Sequence, residues 1–135
     1  PGSNLIQQKA HKMANVIIDN GLNDVSEVWG SEVSLYYPEL YAGTTDLVGV
    51  YKGAPAIMDF KQARKLKKKE WVEDYYLQLV AYAEAHNKMY STNISTGRIF
   101  ICTQKNEYQT FEIDNYNEWV GKWYAKLEQY YKVTL

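Results

Sequence analysis

The dipeptide Lys52-Gly53, set between two segments of strand-forming residues, constrains this chain more than any other feature. Residues 44 to 51 and 55 to 62 read as strands, and glycine supplies the positive φ that a two-residue hairpin turn needs. The turn sets Tyr51 opposite Ala54, and counting back sets Asp46 opposite Asp59. Directly opposite residues of an antiparallel pair have Cβ atoms roughly 4.5–5.5 Å apart, so two like charges there repel. A divalent cation between them would reverse the sign of that energy. Strand alternation puts Lys61 on the face of Asp59 and Phe60 on the other. Pro55, beside the turn, is compatible with a bulge that would shift this register.

Taken singly, Asp46 fits a strand-end acid and Asp59 a salt-bridged strand residue. Taken together with Gly43 before the first and Lys61 after the second, they predict a metal site. Carboxylate oxygens, a backbone carbonyl and waters suit hard Mg²⁺ or Mn²⁺. Such a cation polarises a phosphoryl oxygen and lowers the pKa of water. Lys61 could hold or deprotonate that water, or stabilise charge developing on a phosphate. Its structural alternative is a plain ion pair with Asp59.

The 135 residues suffice for one domain with a core and are too few for two ordinary ones. Pro1-Gly2-Ser3 reads as a cleavage scar, so the expected domain is 4–135. No apolar run approaches a membrane span and no leader pattern opens the chain. A single cysteine, Cys102, sits in an apolar strand, which excludes a disulfide framework and a four-cysteine cluster. An intracellular setting fits.

Residues 4 to 20 carry Leu5, Ile6, Met13, Val16 and Ile17 near helical spacing, and Asn20-Gly21 stops that helix. Residues 24 to 37 read as extended, and the hairpin follows. Its second strand, Ala56 to Phe60, is nearly all apolar apart from the acid, so it should be central and covered on both faces. A helix is expected from Glu70 to Asn87, then strands Arg98 to Thr103 and Tyr108 to Ile113. A last helix, capped by Asp114 or Asn115, runs to Lys132. The order α-β-β-β-α-β-β-α predicts a mixed α/β fold, a central sheet flanked by helices.

The series Gly43-x-x-Asp46, Asp59-x-Lys61, then Gln78-x-x-x-Tyr82 resembles the PD-(D/E)xK nuclease superfamily. More narrowly it is similar to the RecB-type exonuclease branch, which includes the mitochondrial genome maintenance exonuclease and many phage nucleases. The resemblance spans about residues 31 to 132, with Trp119, Trp123, Leu127 and Tyr130 on the closing helix. It implies a restriction-endonuclease-like core. It further implies that Asp46, Asp59 and the Phe60 carbonyl bind metal, that Lys61 is the catalytic lysine, and that Gln78 and Tyr82 reach the site. Glu32 is a further candidate acid. Fuller family members carry a Gly-x-x-x-His or acidic element on an early helix; here Gln7 precedes His11 and that match fails.

Net charge is −1, but residues 61 to 69 hold six basic residues and no acid. Arg64, Lys65, Lys67, Lys68 and Lys69 are candidate phosphate contacts, with Trp71, Tyr75 and Tyr76 nearby for base stacking. A solvated surface loop is the alternative. The expected activity is Mg²⁺ or Mn²⁺-dependent hydrolysis of single- or double-stranded DNA, exonucleolytic by resemblance. The alternatives are an endonuclease of the same fold and an inactive nuclease-like module that binds nucleic acid.

Overall fold

The computed structural model describes residues 5–132, the side chains of Lys69 and Trp71 excepted. The expectations for residues 1 to 4, Lys69 and Trp71 therefore lie outside the described residues. Eight elements appear in the expected order: α1 (Leu5–Gly21), β1 (Val25–Tyr37), β2 (Tyr41–Tyr51), β3 (Ala54–Ala63), α2 (Glu73–Tyr90), β4 (Gly97–Thr103), β5 (Tyr108–Glu112) and α3 (Tyr116–Tyr131). Short 3-10 turns, Leu22–Asp24 and Lys69–Val72, precede β1 and α2.

The strands form one sheet in the order β1-β2-β3-β4-β5. Three pairings are antiparallel, whereas β3 and β4 are parallel and joined through α2, because parallel neighbours need a long crossover. Lys52 and Gly53 both have positive φ, 48° and 82°, which is the twist-matched two-residue turn expected between β2 and β3. Tyr51 pairs with Ala54, and the register holds without a bulge to Leu47–Met58, Pro55 notwithstanding. Bulges occur instead in β1, between Val25 and Glu27 and between Val28 and Gly30. This strand lies at the edge of the sheet, where bulges blunt an unpaired ladder.

Strand alternation sorts the core onto two faces. Ile57 on β3 and Ile99 and Ile101 on β4 meet Leu79 and Val80 of α2 and Trp119 of α3. Ala56, Met58, Phe100 and Cys102 meet Met13 and Ile17 of α1. β3 is thus the middle strand, covered on both sides as its composition requires. By the same period, Asp59 and Lys61 belong to the α2 face and Phe60 to the α1 face.

Two details of the helices go beyond the sequence pattern. Leu5 and Ile6 are 77% and 81% exposed, so the first turn of α1 buries nothing and Met13 and Ile17 carry its packing. Asn115 occupies the N-cap position of α3 but makes no side-chain cap; its φ is 50°, and its carbonyl accepts the Glu118 N–H at 2.9 Å. Among the described residues no helix is long and apolar enough to cross a membrane.

Candidate active site

The β2–β3 ladder ends one residue short of Asp46 and Asp59. From there the carboxylates take over the role of the missing backbone bonds. Asp59 Oδ1 accepts the Asp46 N–H at 2.9 Å and the Thr45 hydroxyl at 3.0 Å. Asp46 Oδ2 accepts the Phe60 N–H at 2.8 Å. Each acid is locked to the opposite strand through one oxygen. In a strand the carbonyl of a residue lies on the same edge as its N–H, so the Phe60 carbonyl shares this edge with Asp46.

Asp59 is almost fully buried, whereas Asp46 is half-buried. Burial pushes the Asp59 carboxyl above its ordinary range, and the Asp46 charge adds to the rise; the bond from the Asp46 N–H, Lys61 and Thr45 oppose it. The like charges expected from the register therefore do meet, and Asp59 bears the cost. Thr45, itself fully buried, is a member of the site that sequence reasoning missed. Its signal was a hydroxyl residue immediately before an acid in an apolar strand.

Three groups set the position of Lys61. Its ammonium stands 4.0 Å from Asp59 Oδ2, donates to Gln78 Oε1 at 3.1 Å, and lies 5.1 Å from the centre of the Tyr75 ring. Gln78 is thus brought to the site from α2, as the resemblance implied. Tyr82 follows one turn later on the same helix face. Burial, then the charges of Asp59 and Asp46, push its hydroxyl pKa up, which locates it beside the pair. A Cβ at position 43 would stand 2.6 Å from the Tyr82 ring, so the glycine of the motif is what admits this tyrosine.

Other candidates are not drawn in. Glu32 falls between the pairs Ser31–Leu47 and Val33–Thr45, but its φ of 48° takes it out of the ladder and it is exposed. Among the described residues no group of three His, Cys, Asp or Glu side chains could hold a metal, so Glu32 does not complete a triad. His11 is exposed on α1. Tyr76 is buried against Trp119 at 5.4 Å and has no face left for a base. Tyr75 is half-buried with Lys61 over its ring.

Arg64, Lys65 and Lys68 of the basic segment are exposed, and Lys67 is half-buried. Gln109 of β5 grips the Lys67 backbone from both sides, accepting its N–H and donating to its carbonyl, each at 2.7 Å. The loop is thereby tied to the sheet on the way from Lys61 to α2.

The donor set fits a divalent cation of the hard class. Two carboxylates stand together at an open strand edge, with Asp46 Oδ1 and Asp59 Oδ2 outside the backbone bonds. The raised Asp59 pKa is the strain that a cation would relieve. Two carboxylates, with remaining positions left to a carbonyl and water, match the usual Mg²⁺ pattern.

No protein-family model matches the chain, and no curated protein matches it by sequence. Its fold does have solved counterparts. A candidate exonuclease from Eubacterium rectale superposes with a TM-score of 0.68 at 14% identity, over 90% of this chain and 50% of that one. This chain therefore spans half the length of that protein. An alkaline exonuclease from Laribacter hongkongensis overlaps over 94% of this chain and 70% of that one, at 13% identity and a TM-score of 0.39. The likeness to the first establishes a shared mixed α/β fold.

Proposed function

We propose that this chain is a divalent-metal-dependent deoxyribonuclease of the PD-(D/E)xK type, acting as an exonuclease. One observation carries the reading: Asp46 and Asp59 are locked side by side where the β2–β3 ladder opens, with Lys61 held at 4.0 Å by Gln78. Accepting two backbone N–H groups does not by itself call for two like charges and a steered ammonium, and Asp59 bears the cost of burial; phosphodiester hydrolysis uses that arrangement. The fold shared with the Eubacterium rectale protein supports the exonuclease choice.

Asp46, Asp59 and the Phe60 carbonyl would hold Mg²⁺ or Mn²⁺. When bound, the ion supplies Lewis acidity toward a phosphoryl oxygen and water. Thr45 and the Asp46 N–H keep Asp59 oriented without protonating it, since both donate to Oδ1. Lys61 offers its N–H bonds to the phosphate oxygen on which charge develops, or to the attacking water. Gln78 takes one of the three donors of that ammonium, which leaves two for a ligand. Arg64, Lys65 and Lys68 supply sequence-independent attraction for the DNA backbone.

The test is incubation with linear and covalently closed circular DNA, with and without Mg²⁺. Linear DNA should be degraded only with the metal, and the closed circle should survive. Cutting of the circle would reassign the chain as an endonuclease. Loss of neither substrate in Mg²⁺ or Mn²⁺ would sink the nuclease reading.

A further inference from the structure

Lys61 ends in an ammonium on a flexible four-carbon stem, and such a side chain takes no single place unless several groups fix it. On the α2 face three do. Asp59 Oδ2 stands 4.0 Å from Nζ, which is attraction without a hydrogen bond. Gln78 Oε1 accepts one N–H at 3.1 Å. The third is the ring of Tyr75, whose centre lies 5.1 Å from Nζ, within the reach of a cation–π contact.

Tyr75 and Gln78 stand one turn apart on α2, so both reach the same neighbour from one helix face. They constrain it differently. The amide fixes the direction of one N–H, whereas the ring attracts the whole charge and bars the space it fills. The ring is itself held, because Tyr75 is half-buried and packs against the α2-side core. The Lys61 side chain keeps 26% exposure, so it has room to swing into water once that wall is removed.

We propose that Tyr75 is a positioning residue for Lys61: its ring holds the ammonium beside the carboxylate pair, and it acts on the reaction only through that ammonium. The proposal rests on the nuclease reading and deepens it. It replaces the base-stacking role expected for Tyr75 from the sequence. A ring that stacks on a base contributes to DNA affinity with or without Lys61. A ring that positions Lys61 contributes to turnover, and only while Lys61 is present. The Tyr75 hydroxyl is not needed, since the attraction comes from the ring face, which phenylalanine also offers.

Two measurements test it. The first, nuclear magnetic resonance in EDTA, needs neither metal nor DNA. An aromatic ring current moves protons above its face upfield. The ε-methylene protons of Lys61, assigned by their loss in Lys61→Ala, should therefore lie upfield of those of the other lysines. Tyr75→Phe should keep that displacement and Tyr75→Leu should abolish it. No displacement in wild type overturns the proposal, whatever the variants do. The second is the kinetics of linear DNA cleavage in Mg²⁺. Tyr75→Leu should lose about tenfold in kcat with KM little changed, within what a partly desolvated cation–π contact supplies. Tyr75→Phe should match wild type. In a Lys61→Ala background the same Leu replacement should cost nothing further, because the two residues act as one unit. Thermal melts check the fold, and Tyr75→Met takes the place of Tyr75→Leu if that variant unfolds. Wild-type kcat in Tyr75→Leu, or a KM rise that persists without Lys61, overturns the role of Tyr75 and leaves the nuclease reading standing. Wild type that cleaves no DNA overturns the nuclease reading and the proposal with it.

Discussion

Asp59 is a carboxylate that packing alone would penalise, and its neighbours only partly compensate. Two donors fix Oδ1, yet burial and the Asp46 charge still raise its pKa. Between the unfolded value near 3.8 and the raised native one, the native state holds the proton more tightly, so stability falls as pH rises through that window. Asp59→Asn keeps the volume and both acceptor bonds but removes the charge. In EDTA it should melt above wild type at neutral pH, with the gap closing at acid pH, and it should not cleave DNA. Thermal melts of both proteins across pH check the first part, and a variant that still cleaves would remove Asp59 from the reaction. Lys61→Ala acts differently, because no bond that orients the carboxylates comes from Lys61. Turnover should fall by about 10²–10⁴-fold while calorimetric Mn²⁺ binding persists. Near wild-type turnover would reduce Lys61 to an ion-pair partner.

At the scale of elements, the end of one ladder does most to create the site. β2 and β3 pair through Leu47–Met58, and the next two residues spend their side chains on backbone donors across the gap. α2 then brings Gln78 and Tyr82 over the opening, and Gly43 leaves room for the tyrosine. The loop from Arg64 to Lys68 is tied to β5 by the paired bonds of Gln109 to the Lys67 backbone. Replacing Arg64, Lys65 and Lys68 with Gln should weaken binding to unrelated DNA sequences alike. The slope of log affinity against log salt should shrink by roughly 0.7–0.9 for each phosphate that is no longer neutralised. Titrations at several salt concentrations on two sequences decide it: an unchanged slope returns the segment to a solvated loop, and weakening on one sequence alone means base readout.

For the whole molecule, the sheet holds two halves of one site in register with helices on both faces. A cation that binds only the folded pair stabilises the entire domain by mass action, about 2.7 kcal/mol at 100 times its Kd. Each kcal/mol moves the melting temperature by roughly 2–8 °C in domains near this size. Melts with and without Mn²⁺ should therefore separate by several degrees in wild type and coincide in Asp46→Asn. Equal shifts in both proteins would place the ion elsewhere.

The register of the β2–β3 hairpin was legible in the chain because it depends on local facts. Lys52-Gly53 sets the turn, and the strand period carries Asp46 opposite Asp59 and turns Phe60 away from Lys61. The central position of β3 followed from its unbroken apolar run. Gln78 and Tyr82 came from the resemblance, since helical spacing alone does not say which face meets the acids. Other features depend on packing between distant residues, which no local period encodes. Tyr76 and Tyr75 are neighbours, yet one is sealed against Trp119 and the other carries Lys61, because α3 covers only one of them. Thr45 becomes a site residue only where the ladder stops, and Glu32 leaves it only because β1 turns left-handed there. The chain by itself determined which groups share a face. Tertiary structure decided which of those groups lose water, and that desolvation raises the pKa of Asp59, a cost that the proposed metal would offset.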